Sequence, residues 1–155
     1  GDDLPPETVY VIRDGGRYGW PACHAGDIPD PEFGGPGACD GMEQPVVEMQ
    51  AHTAPLGLTF YTGDAFPEAY RDDLFIALHG SWNRPEPVGY EVVRVPLDNG
   101  IVAGPGEAFA TGWLDAGGAV SGRPVGLAVG PDGALYMSDD RGGFIYRIAY
   151  DSREG

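Results

Sequence analysis

The chain repeats itself, and the repeat limits what it can become. "APLGLTFYTGD" at residues 54–64 parallels "RPVGLAVGPDG" at 123–133, and "DDLFIALHG" parallels "GALYMSDD". "YEVVRVPLD" then parallels "FIYRIAYD", by which point the offset has shrunk from about seventy residues to about fifty-three. Each segment is short, rich in β-branched and aromatic residues, and bounded by Gly, Pro, Asn or Asp, as strands are. A repeated unit of three to four strands is the mark of a β-propeller, whose blades are four-stranded sheets of roughly 40–50 residues.

The rest of the chain follows the same grammar. "ETVYVI" and "PVVEMQ" read as strands, while "LGLTFYTG", "DDLFIALHG", "GYEVVRVPLD" and "GEAFATGWL" form one complete unit. Asn99-Gly100 is a tight-turn signal inside that unit. Helical spacing occurs only in "DAFPEAYRDD", where Pro67 limits it to a single turn. The expected fold is therefore all-β, a single partial propeller domain over residues 1–155. Residues 1–50 make a partial blade, 51–115 a full blade and 116–155 a final, incomplete one. Propellers close with at least about four blades. The chain is thus expected either to be a piece of a longer protein or to complete itself by oligomerising.

The 155 residues include 26 glycines and 15 prolines, which suits short strands joined by turns. Net charge is −15, and all nine basic residues are arginine. A field of that sign argues against nucleic acid and anionic membrane as partners, and fits either a solvated acidic surface or calcium sites. No run of about 18 apolar residues occurs, so membrane insertion is not expected. No signal peptide is visible, and the abrupt opening "GDDLPPET" reads like that of a cut segment.

Cys23 and Cys39 bracket the loop "CHAGDIPDPEFGGPGAC". A disulfide here implies an oxidising compartment, periplasmic or secreted. The alternative, a metal held by Cys23, His24 and Cys39, lacks the close cysteine pairing of structural zinc sites. A second loop, "ALHGSWNRPEPVGY", takes about ten residues to join two strands, where about two to five suffice for a hairpin. It carries His79, Ser81, Trp82, Asn83 and Arg84, and Pro85 and Pro87 stiffen its exit. "HGS" lacks the G-x-S-x-G context of a serine nucleophile, and "GGPGAC" follows no strand and opens no helix, as a dinucleotide fingerprint would.

"YGWPACHAGDIPDPEFG", "HTAPLGLTFYTG", "FPEAYRDDLFIALHGSWNR", "GYEVVRV" and "GRPVGLAVGPDGALYMSDD…GFIYRIAY" together resemble the glucose/sorbosone dehydrogenase family, and within it the L-sorbosone-dehydrogenase-like branch. The match corresponds to the C-terminal part of such a protein. The resemblance implies about two and a half to three four-stranded blades of a six-bladed propeller, oxidising a small-molecule sugar with pyrroloquinoline quinone (PQQ) and Ca²⁺. The family's general-base histidine and a cofactor-contacting Arg-Asn pair have no counterpart here, so no catalytic residue is assigned.

By the same resemblance, Arg123 faces the central channel and pairs with a cofactor carboxylate. Val125 stands where the sugar-dehydrogenase branch has a second arginine, and His79 near where it has a lysine. His52 lines the pocket entrance, and Trp82 and Asn83 are substrate-side candidates. The Tyr18 carbonyl, Asp27 and Glu7 are candidate calcium ligands, Glu7 standing beside Thr8 at the family's glutamate position. The backbone around Asp2 and Asp3 is the candidate for the cofactor's own calcium.

Plainer roles compete with these. Arg123 is equally placed to pair with Asp139 or Asp140, and His79 to bond a loop carbonyl. Trp20, Trp82 and Trp113 are expected to pack between blades. The alternative to an enzyme fragment is a non-catalytic half-propeller that binds carbohydrate or calcium and assembles with a second copy of itself; the enzyme reading instead requires the remaining blades.

Overall fold

The computed structural model describes residues 1–151, which divide into two compact units at His52/Thr53. In the first unit, β1 (Glu7–Val9), β2 (Cys23–His24), β3 (Ile28–Pro29) and β4 (Val47–Met49) form two small antiparallel pairs, β1 with β4 and β2 with β3. "ETVYVI" gives only three strand residues. Beyond Val9 the chain turns, and the Tyr18 hydroxyl accepts from the Arg13 amide at 2.7 Å and donates to the Val11 carbonyl at 3.3 Å.

Cys23 and Cys39 are joined as a disulfide, with Cα atoms 5.3 Å apart. This overturns the metal alternative, since both thiols are consumed in the bridge and His24 Nε2 lies 2.8 Å from Asp30 Oδ2. With 16 residues of separation, replacing both cysteines by serine is expected to destabilise the protein by about 3 kcal/mol in the chain-entropy picture, measured by chemical denaturation.

The second unit contains the repeat. β5 (Pro55–Phe60), β6 (Leu74–Leu78), β7 (Glu91–Val95), β8 (Leu97–Asp98), β9 (Ile101–Val102) and β10 (Glu107–Ala110) come first. Four of them make an antiparallel sheet in the order β10-β7-β6-β5, and β8 pairs with β9 as a small hairpin. Asn99 and Gly100 at its tip both have positive φ, 51° and 78°, which suits the twist of a two-residue hairpin. The helical stretch reduces to one 3₁₀ turn, Glu68–Tyr70. β11 (Pro124–Val129), β12 (Leu135–Asp139) and β13 (Phe144–Ile148) then form a three-stranded antiparallel sheet among the described residues.

The two sheets share one register. Leu74↔Val95 through Leu78↔Glu91 in the first corresponds to Leu135↔Ile148 through Asp139↔Phe144 in the second. Arg94 and Arg147 are therefore equivalent, and each holds an aspartate: Arg94 Nε lies 2.6 Å from Asp73, and Arg147 Nε 2.7 Å from Asp132. These are consecutive blades, and the chain is an all-β, propeller-type fold.

Tyr61, Phe66, Phe75, Tyr90, Val92, Trp113, Leu135 and Met137 form the core of this unit. The inner strands β5 and β11 approach closely because Gly57 has no side chain; a Cβ there would collide with the Val125 carbonyl. Trp113 is buried and meets Tyr146 edge-on at 5.4 Å, as a packing tryptophan does. Trp20 and Trp82 are 81% and 83% exposed within this chain, and the Trp20 ring lies 5.6 Å from that of His24. Both sit on irregular backbone outside any strand. Among the described residues, no helix is long and apolar enough to cross a membrane.

Candidate functional site

Antiparallel pairing brings six strand ends together at one end of the second unit: the start of β5, the exit of β6, the entry of β7, the start of β11, the exit of β12 and the start of β13. The loop 79–90, Arg123 and the turn 140–143 all lie there. The opposite end carries Thr62, Gly63, Asp64, Val129, Gly130 and Gly133, tied by the Tyr61 hydroxyl donating to the Gly133 carbonyl at 2.6 Å.

The long loop is braced at both ends. His79 and Gly80 amides donate to the Ala54 and Thr53 carbonyls, at 3.0 and 2.9 Å. Ser81 and Val88 close the loop reciprocally: the Ser81 amide donates to the Val88 carbonyl at 2.9 Å, and the Val88 amide to Ser81 Oγ at 3.1 Å. Ser81 is buried, so its hydroxyl is a structural clasp. The Tyr90 hydroxyl donates to the Ser81 carbonyl. Between these clasps the tip, with Trp82 and Asn83, stands in solvent.

Arg123 reaches across from the start of β11 to hold this loop. One terminal nitrogen donates to the Ser81 carbonyl at 2.9 Å and to the Tyr90 hydroxyl at 3.2 Å. The other lies 3.2 Å from His79 Nδ1 and 3.5 Å from the Gly80 carbonyl, and the guanidinium carbon sits 5.1 Å from the Tyr90 ring centre. Arg123 meets Asp139 through its backbone amide, 2.8 Å from Asp139 Oδ1, while its guanidinium turns to the loop and not to the expected carboxylate. His79 meets a carboxylate in place of a loop carbonyl: Nε2 lies 3.0 and 3.2 Å from the two oxygens of Asp140. Arginine only donates, so Nδ1 is the acceptor and the Nε2 proton points at Asp140.

Asp139 is buried, and its Oδ1 also accepts from the Arg141 and Gly142 amides, both at 2.9 Å. Burial pushes its carboxyl up, but the donors around it, these three amides foremost, outweigh burial and leave it below the ordinary aspartate range. Oδ2 makes no hydrogen bond and sits where a Cβ on Gly142 would fall within 2.6 Å.

The other predicted residues belong to the first unit. His52, at φ 70°, has Nε2 2.9 Å from the Gly1 carbonyl. Glu7 lies in β1 opposite Met49, and Asp27 is exposed in the β2–β3 turn, its amide donating to the His24 carbonyl at 3.2 Å. Among the described residues, no three His, Cys, Asp or Glu side chains gather as a metal site.

Sequence reasoning missed Asp140 as the partner of His79 and Tyr90 as a wall of the site. The repeat contained the signal for the first. His79 follows β6 as Asp140 follows β12, so equivalent positions of neighbouring blades meet.

The sequence profile of the TrAA12-like family matches residues 36–151. An uncharacterized protein of Borreliella burgdorferi is 36% identical over 154 residues, covering 97% of this chain and 41% of that protein. A pyrroloquinoline quinone-dependent pyranose dehydrogenase of Coprinopsis cinerea is 36% identical over 126 residues, covering 68% of this chain and 16% of the enzyme. The holo PQQ domain of the pyranose dehydrogenase from the same organism superposes with a TM-score of 0.71 at 25% identity, over 96% of this chain and 45% of that domain. The chain thus spans less than half the length of these relatives. With the profile covering most of its residues, the chain belongs to the TrAA12-like family.

Proposed function

We propose that the chain forms part of a PQQ-dependent sugar dehydrogenase, contributing one wall of the cofactor and substrate site, with the general base supplied by blades outside it. The observation that carries this reading is the Arg123 guanidinium set beside the His79 imidazole at the loop end of a chain related to a PQQ-dependent pyranose dehydrogenase.

The residues fit the group in kind. PQQ bears three carboxylates, and a guanidinium beside an imidazole is the donor chemistry that recognises them. When bound, PQQ supplies the quinone that accepts hydride from the sugar. Arg123 would turn one edge of its guanidinium to a carboxylate while keeping the loop seated through Ser81 and Tyr90. Trp82 and Asn83, exposed at the loop tip, would offer a ring face and an amide to the sugar. His52 would contribute at the entrance. Calcium would be held by the Tyr18 carbonyl with Asp27 and Glu7. The acting partners would be the remaining blades of one propeller, six in all, and the disulfide supports a periplasmic or secreted setting. A sorbosone-type aldehyde sugar is the proposed substrate class, and the chain would correspond to the C-terminal part of the enzyme.

One observation favours a second reading, a non-catalytic half-propeller that dimerises: the Arg123 and His79 donors are already engaged within the chain. Aldose-dependent dye reduction by the full polypeptide, reconstituted with PQQ and Ca²⁺, separates the two. Turnover that requires both additions is the expected result. A protein that neither binds PQQ nor reduces dye, and that forms a stable dimer, would establish the second reading.

A further inference from the structure

We infer that Asp140 is an internal competitor for the anion-recognising groups of this site and thereby sets its affinity for anionic ligands. The inference rests on the cofactor reading above and adds a residue that reading did not use.

Asp140 accepts the Nε2 proton of His79, while Nδ1 accepts from Arg123. The carboxylate therefore occupies the only donor that a neutral, Arg-bound His79 can offer a ligand. It also places a negative charge beside the imidazole that Arg123 contacts. An incoming carboxylate at either group meets like charge at short range, an interaction of order tenfold in a partly solvated site. Displacement is feasible because the Asp140 side chain is 60% exposed, against 19% for His79. Its neighbour Asp139 is 3% exposed and fixed by three amides, so the two adjacent carboxylates have separate tasks. Asp139 builds the turn, and Asp140 occupies the donor.

Asp140 thus acts as a stand-in for a ligand carboxylate. It keeps His79 in one tautomer when nothing is bound, and it yields when a polyanion arrives. Neutralising it without changing its shape removes the competition and leaves an acceptor for the Nε2 proton.

The test is PQQ binding to the full polypeptide, followed by quenching of tryptophan fluorescence at fixed ionic strength, for the native protein, Asp140→Asn, Asp140→Ala and Asp64→Asn. Asp64 lies at the opposite end of the unit and controls for net charge. The expected result is about five- to tenfold tighter binding by both Asp140 variants, with Asp64→Asn within twofold of native. Unchanged or weaker binding by Asp140→Asn overturns the inference while leaving the cofactor reading intact. Equal strengthening by Asp64→Asn also overturns it, because the effect is then one of overall charge. Absence of PQQ binding by all four proteins overturns the cofactor reading, and the inference with it.

Discussion

Replacing Asp73 by alanine is expected to destabilise the protein by about 3–5 kcal/mol, because it strands a largely buried arginine. Asp73 is 2% exposed and accepts from Arg94 Nε at 2.6 Å and from the Leu97 amide at 2.7 Å. Arg94 in turn donates to the Ala69 carbonyl at 2.6 Å, reaches Glu107 on β10 at 2.8 Å, and lies over the Tyr70 ring at 4.2 Å. Burial pulls the Arg94 pKa down, but Asp73 and Glu107 together outweigh it and hold the charge on. The Asp73–Arg94 pair thus joins β7, β10, the 3₁₀ turn and the hairpin that follows. Glu107→Gln is expected to cost under about 1 kcal/mol, since that carboxylate is more than half exposed. Chemical denaturation measures both, and a loss below about 1 kcal/mol for Asp73→Ala would contradict the central role given to this carboxylate.

The second large effect is Asp139→Ala, expected to cost about 2–4 kcal/mol, since three amide donors lose a charged acceptor at once. The loss falls on the start of β11 and the β12–β13 turn, so Arg123 loses its seat as well. The carboxyl is depressed below 3.8 in the folded protein, so its contribution is fully present above that value and is lost as pH falls through the lower folded-state pKa. Stability measured below about pH 4 should therefore fall more steeply for the native protein than for Asp139→Ala. Parallel acid limbs would show that the carboxylate is not what holds the turn.

How much of this was legible in the sequence depended on the range of the interaction. β6 stood out because "LFIAL" is a short apolar run bounded by turn residues, and the repeat set "LYMSD" of β12 in register with it. The strand pairs of the first unit were blurred. Pairs of two or three residues leave little periodicity, and their geometry is fixed by a disulfide, the Tyr18 hydroxyl and the Asp30 side chain. Asp30 is held low by His24 first and then by the Phe33 and Glu32 amides, a local knot that no hydrophobic pattern records.

At the site, the residue types were readable and their directions were not. Nothing in "GRPVG" says whether the guanidinium turns to the channel or to the loop. The choice is made by the Ser81 carbonyl, the Tyr90 hydroxyl and His79, which lie 33–44 residues away in sequence. Trp82 was expected to pack because tryptophans usually do. The clasp between Ser81 and Val88 closes the loop beneath it and leaves it outside.

Amide hydrogen exchange of the full polypeptide with and without PQQ tests most directly the claim that this end of the fold receives the cofactor. Added protection in segments 79–90, 122–124 and 139–143 is the predicted result. Protection confined to 61–65 and 129–133, at the opposite end of the same sheets, or none anywhere in the chain, would contradict it.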